Sequence, residues 1–153
     1  MKNKIFAGQS LFEVVVAVGI SALIITGIAA AALNSIQNSS YARDKNLATN
    51  YVQETMEWLR QVRDKETQAF AAKAVLGGVY CLASLPSSVA LWPTLKPSCS
   101  GTSPITGTNF VRSIEFLECT GCPANVVRVK TTVVWNDSKG SHETKSTTDL
   151  SVK

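Results

Sequence analysis

Between Gly8 and Leu33 the chain reads GQSLFEVVVAVGISALIITGIAAAAL, 26 residues in which Glu13 is the only ionisable side chain. As a helix, the part from Leu11 to Leu33 would extend roughly 34 Å, enough to cross a hydrocarbon core of about 30 Å. Lys2 and Lys4 precede it. Positive charge at that position keeps the start of a chain cytoplasmic and sends the C-terminal domain outward. Gly19 and Gly27 fall inside the span; they lower helix propensity but let neighbouring helices approach closely. A carboxylate inside an apolar span is costly, and such groups usually have a function. Glu13 should therefore seek a cation or become protonated.

Two plainer readings account for part of this stretch. A secretory signal could be cut near Ala29–Ala32, but the apolar run exceeds the usual signal core and Glu13 is oddly placed for one. A simple single-pass anchor explains the length and leaves Glu13 unexplained.

The order Gly8-Gln9-Ser10-Leu11-Phe12-Glu13, with a long apolar run behind it, resembles the processing site of type IV prepilins and type II secretion pseudopilins. The resemblance implies that a basic leader, residues 1–8, is cut after Gly8 by a prepilin peptidase and that the new first residue, Gln9, is N-methylated. It also implies that Glu13 pairs with the N-terminal amine of a neighbouring subunit and so sets the axial register of a helical assembly. With both charges surrounded by apolar groups, each strongly favours the arrangement that neutralises it. The implied partners are other pilin or pseudopilin subunits, the peptidase, an inner-membrane assembly platform and, before assembly, membrane lipid. No cofactor is implied. The implied location is the cytoplasmic membrane, single-pass with the N-terminus inside, and then a periplasmic or cell-surface filament. Two positions depart from the family pattern: the first mature residue there is most often phenylalanine, and a proline often interrupts the later membrane helix, where this chain has alanines.

After Leu33 the sequence turns polar without a helix stop. Leu47, Ala48, Tyr51, Val52, Thr55, Met56, Leu59 and Val62 keep to the 3/4 spacing of one helical face. Glu54, Glu57, Arg60 and Arg63 lie on or beside the other side, Trp58 falls off the main stripe, and Glu57 with Arg60 suits an i,i+3 pair. Ala69 to Leu76 reads as a short helix or a frayed continuation, closed by Gly77-Gly78.

Beyond Val79 the texture changes to short β-type runs. Tyr80-Cys81-Leu82 is a candidate short strand. Residues 84–109 hold four of the five prolines among serines, threonines and glycines and read as a long loop, a feature that is either functional or pinned. Phe110–Glu118 alternates with Phe110, Arg112, Ile114 and Phe116 on one face. Val126–Trp135 alternates with Val127, Val129, Val133 and Trp135 inward, and Arg128 and Lys130 outward. Thr144–Val152 is a weaker final strand. Short connections make these three an antiparallel meander, and the Leu47–Val62 face is its cover. The expected class is α+β and pilin-like: a long N-terminal α-helix, transmembrane in its first half, packed on a small antiparallel sheet of 3–4 strands. The expected segments are leader 1–8, membrane and assembly helix 9–33, amphipathic helix 34–76, and distal β domain 77–153.

Four cysteines, all after residue 80, suit an oxidising compartment. Cys119-Thr-Gly-Cys122 is compatible with a redox pair, half a zinc site or a small disulfide. A redox motif ordinarily opens a helix, and Cys81 and Cys99 lack the close spacing of a second zinc pair. Structural disulfides are favoured, most simply Cys81–Cys99 and Cys119–Cys122, although four cysteines allow three connectivities. One histidine, His142, cannot anchor a multi-histidine metal site, and it reads as a solvent-facing strand residue.

Formal charge is +4, and without the leader lysines 13 basic residues face 11 acidic ones. Arg112, Arg128 and Lys130 are too few for a nucleic-acid stripe, which disfavours a DNA-uptake pilin. No HExxH, phosphate-cradling glycine loop or G-x-S-x-G elbow occurs in the sequence, so the reading is a structural subunit and not an enzyme. A pilus subunit, a secretion pseudopilin and a DNA-uptake pilin all fit that class, and the small distal domain suits a minor subunit.

Overall fold

The structure, a computed structural model, describes residues 9–99 and 104–152. It is an α+β protein with a long N-terminal helix and a four-stranded antiparallel sheet. Helix α1 runs Gln9–Lys65 and α2 runs Thr67–Lys73; strands β1, β2, β3 and β4 run Val79–Cys81, Val111–Leu117, Val126–Asp137 and Gly140–Ser151. The chain divides into two units, Met1–Ala42 and Arg43–Lys153, and α1 contributes to both.

In the first unit α1 carries exposed Leu11, Phe12, Val14, Val15, Val18, Ile20, Leu23, Ile24, Ile25, Ile28 and Leu33. They point in every direction around the helix, the pattern of a segment whose surroundings are apolar. Ser21 and Thr26 donate their hydroxyls back to the carbonyls of Ala17 and Ala22, at 2.8 and 3.0 Å, so neither leaves an unpaired donor on that surface. This helix is long and apolar enough to cross a membrane.

In the second unit the same helix becomes one-sided. Ala48, Val52, Thr55, Met56, Leu59 and Val62 are buried, as the 3/4 spacing predicts, while Leu47 is exposed. Trp58 is buried too. Its indole donates to the Pro86 carbonyl at 2.8 Å, so the loop after β1 widens the covered face beyond the stripe. Helix α1 ends with Arg63 and Lys65 in its last turn, where positive charge suits the carbonyl end. The chain then bends at Glu66 before α2. The Glu66 carboxylate is used elsewhere: it accepts from Ser88 Oγ and from the Val89 amide, both at 3.1 Å, at the start of the 3-10 turn Val89–Leu91.

The sheet order is β1-β2-β3-β4, each strand antiparallel to the next. Alternation sends Arg112, Ile114 and Phe116 of β2 inward beside Val129, Thr131, Val133 and Trp135 of β3. The helix meets this face. Thr131 Oγ1 lies 3.6 Å from Met56 Sδ, and Tyr51 packs on Phe110 with ring centroids 5.5 Å apart. The other face carries cross-strand ion pairs: Lys130–Glu115 at 2.5 Å, Arg128–Asp149 at 2.7 Å and, along β4, Lys145–Glu143 at 2.8 Å. Strand β4 has a ladder partner on one side only. It begins earlier than the sequence suggests, at Gly140, because the hairpin turns on Ser138-Lys139 alone, with the Lys139 amide donating to Asp137 Oδ1 at 2.7 Å. That register places His142 opposite Trp135. The histidine is therefore half-buried, not solvent-facing: its ring tilts over the indole and Nε2 lies 2.9 Å from Asp137.

The long segment 84–109 is pinned along much of its length. Lys96 exchanges two backbone hydrogen bonds with Val79, and the Thr106 amide donates to the Ala83 carbonyl. Trp92 enters an aromatic cluster with Trp58, Phe70, Tyr80 and Phe116, with centroids 5.2–6.4 Å apart. Gly78 permits this fold-back, since a Cβ there would stand 2.6 Å from Leu95.

Candidate functional site

Glu13 lies in the second turn of α1, its side chain exposed among Phe12, Val16, Ala17 and Ile20. Among the described residues it has no ion-pair partner. Gln9 is the first residue of α1, four positions earlier, which is about 6 Å along the axis. Gly8 lies outside the described residues. A lone carboxylate on an otherwise apolar helix surface is a group that a cation or a set of hydrogen-bond donors would neutralise.

The four cysteines fall in the second unit and form two bridges. Cys81 of β1 joins Cys99 of the long loop, with Cα atoms 5.6 Å apart. Cys119 joins Cys122 in the turn between β2 and β3, with Cα atoms 5.5 Å apart. Gly121 adopts φ +84° in that turn, a conformation open to glycine at little cost. Asp149 reaches the second bridge, so that ligand atoms of Cys119, Cys122 and Asp149 all lie within 4.8 Å of one another. The place of a cation there is taken by Arg128, whose Nε and Nη2 donate to the two Asp149 oxygens at 2.7 and 2.8 Å. That fork holds the Asp149 carboxyl below its usual range.

One polar group ties helix to sheet. Arg112 is buried on the inner face of β2; its Nε donates to the Leu82 carbonyl at 3.3 Å, and Nη1 donates to Glu54 Oε2 at 3.2 Å and Thr55 Oγ1 at 3.4 Å. Burial pushes the guanidinium below its ordinary value, and Glu54 pulls it part of the way back. The alternation of β2 places Arg112 inward from sequence alone; its partner Glu54 is not legible there, because a helical register leaves open which neighbouring strand a flanking residue meets.

No family model, curated protein or solved structure matches this chain. Its architecture, a long N-terminal apolar helix that continues into a segment packed on a small antiparallel sheet, is pilin-like, and its apolar helix is compatible with a single-pass membrane anchor.

Proposed function

We propose that the chain is a minor pilin or pseudopilin, a structural subunit of a type IV pilus or a type II secretion filament. It is inserted in the cytoplasmic membrane with its N-terminus inside, trimmed after Gly8 by a prepilin peptidase, N-methylated on Gln9 and assembled by packing of the Gln9–Leu33 helix. It takes no cofactor and catalyses nothing itself. Its partners are other subunits and the membrane assembly platform. The observation that carries this reading is Glu13: a single carboxylate on an apolar helix, without an ion-pair partner among the described residues and one turn from the amine that cleavage would create. Supplied by a neighbouring copy, that amine neutralises Glu13 and is neutralised by it, so the pair selects one stagger between helices more than it adds stability.

N-terminal sequencing of the mature protein tests the scheme. A first residue Gln9 supports it, whereas a start near Ala32–Asn34 supports a secreted domain with an ordinary signal. Glu13→Ala then tests the role of the carboxylate. Membrane insertion is unchanged and recovery in sheared filaments falls to background; normal recovery would remove Glu13 from the mechanism.

A further inference from the structure

The two bridges sit in different chemical surroundings. Cys81 is buried, its Sγ 3.8 Å from the Ser98 carbonyl, while its partner Cys99 is half-exposed; their sequence separation is 18. Cys119 and Cys122 are separated by 3 and are half-exposed, in a turn where Glu118, Thr120, Gly121 and Pro123 are open to solvent. Exposed bridges are reduced more readily than buried ones, and the turn bridge has both sulfurs half-exposed where the other has one buried. It also has a cation beside it. Arg128 Nη2 stands 3.9 Å from Cys122 Sγ, and the fork to Asp149 fixes the guanidinium in place. A fixed positive charge favours the thiolate of the sulfur it faces. A sulfur more stable as thiolate leaves faster, and exchange therefore runs through attack on the other one.

We propose that the Cys119–Cys122 bridge is a site of thiol–disulfide exchange whose partner is a dithiol, with Cys119 the sulfur attacked and Cys122 the sulfur released. One thiolate of the dithiol attacks Cys119 Sγ. The S–S bond breaks and its electron pair leaves on Cys122 as a thiolate facing Arg128. The second thiolate of the dithiol then attacks the sulfur of its own molecule in the mixed disulfide and expels Cys119 as a thiolate. The bridge has gained two electrons, the dithiol has become a disulfide, and the two cysteine thiolates take up protons from solvent as their equilibria require. Accessibility of both sulfurs in the turn and the placement of Arg128 converge on this bridge, independently of how the chain is assembled or exported.

The test uses the full-length protein in detergent micelles and dithiothreitol as the dithiol. Samples equilibrated at graded ratios of reduced to oxidised dithiothreitol are quenched with an alkylating reagent, and labelled peptides are mapped by mass. Cys119 and Cys122 take label at a ratio several-fold lower than Cys81 and Cys99. In a second arm, opening of the turn bridge is timed under limiting dithiothreitol. Arg128→Gln slows it several-fold. Asp149→Asn breaks the same ion pair but frees the guanidinium, and opens as fast as the parent or faster. Joint opening of both bridges, or earlier opening of Cys81–Cys99, overturns the proposal. Equal slowing by R128Q and D149N overturns it as well, because the ion pair would then act only by bracing the turn.

Discussion

From Leu11 to Leu33 α1 shows apolar side chains to its surroundings on every side, whereas from Ala48 to Val62 it buries one stripe and exposes the charged remainder. No cap or breaker separates the two stretches, and the backbone geometry is the same. What differs is where the stabilisation comes from. The distal stretch is held by contacts within its own chain: Met56 against Thr131, Tyr51 against Phe110, Glu54 against Arg112. The proximal stretch has no such contacts among the described residues, the pattern of a helix suited to apolar surroundings and not held by its own chain.

This difference is open to direct attack. The largest effect is expected at Leu59, fully buried under the sheet. Leu59→Ala should lower the unfolding free energy of the Arg43–Lys153 unit by about 2–5 kcal/mol, while Ile24→Ala should leave it within about 0.5 kcal/mol. Denaturant unfolding monitored by tryptophan fluorescence reads this unit alone, because Trp58, Trp92 and Trp135 all lie in it. Equal losses from the two variants would break the contrast. Next comes the bridge that pins the long loop: the double change Cys81→Ser and Cys99→Ser should cost about 3 kcal/mol by loop closure, measured in the same way. Glu54→Gln ranks third, at about 1 kcal/mol. It leaves Arg112 buried without its carboxylate, but Glu54 is itself more than half exposed and water screens what is lost.

The smallest effect concerns acid. Hydrogen bonds from Arg128 and from Lys145 hold the Asp149 and Glu143 carboxyls below their usual values. A depressed folded pKa contributes stability that is fully present above the unfolded value, about 4 for such groups, and is lost as pH falls through the folded one. Asp149→Asn should therefore lower the thermal midpoint slightly at neutral pH, where that contribution is present, and meet the parent profile well below about pH 4, where the parent has lost it. A change that persists undiminished in acid would assign Asp149 a different role.

Much of the fold is legible in the sequence because two periodicities are clean. The 3/4 stripe of Ala48–Val62 and the alternation of Phe110–Phe116 and Val129–Trp135 identify their buried residues, because each has one partner surface. The α+β class and the antiparallel order derive from them and from the short connections. What escapes has no period. Trp92 sits in a proline-rich loop, and only its size hints at burial. Phe70 enters the core from a helix of seven residues, too short to show a face. The sequence pattern of β4 is too polar to mark its true start at Gly140, four residues before Thr144, and so puts His142 on the wrong side. Spacing narrows the cysteine pairing, yet the company of Cys122, namely Arg128 and Asp149, depends on a strand register that composition does not carry. Glu13 stands apart from all of these: the chain alone marks it, and among the described residues no ion-pair partner meets it.

Strand β4 ends the sheet with twelve residues and, among the described residues, no neighbour beyond it. Glu143, Lys145 and Asp149 stand along it, already matched within their own copy, and threonines and serines fill the intervals. A bare, greasy border of that length would invite sheets from separate copies to fuse. This one resists such merging, so many copies can be crowded side by side at high local density and each still keeps its own sheet.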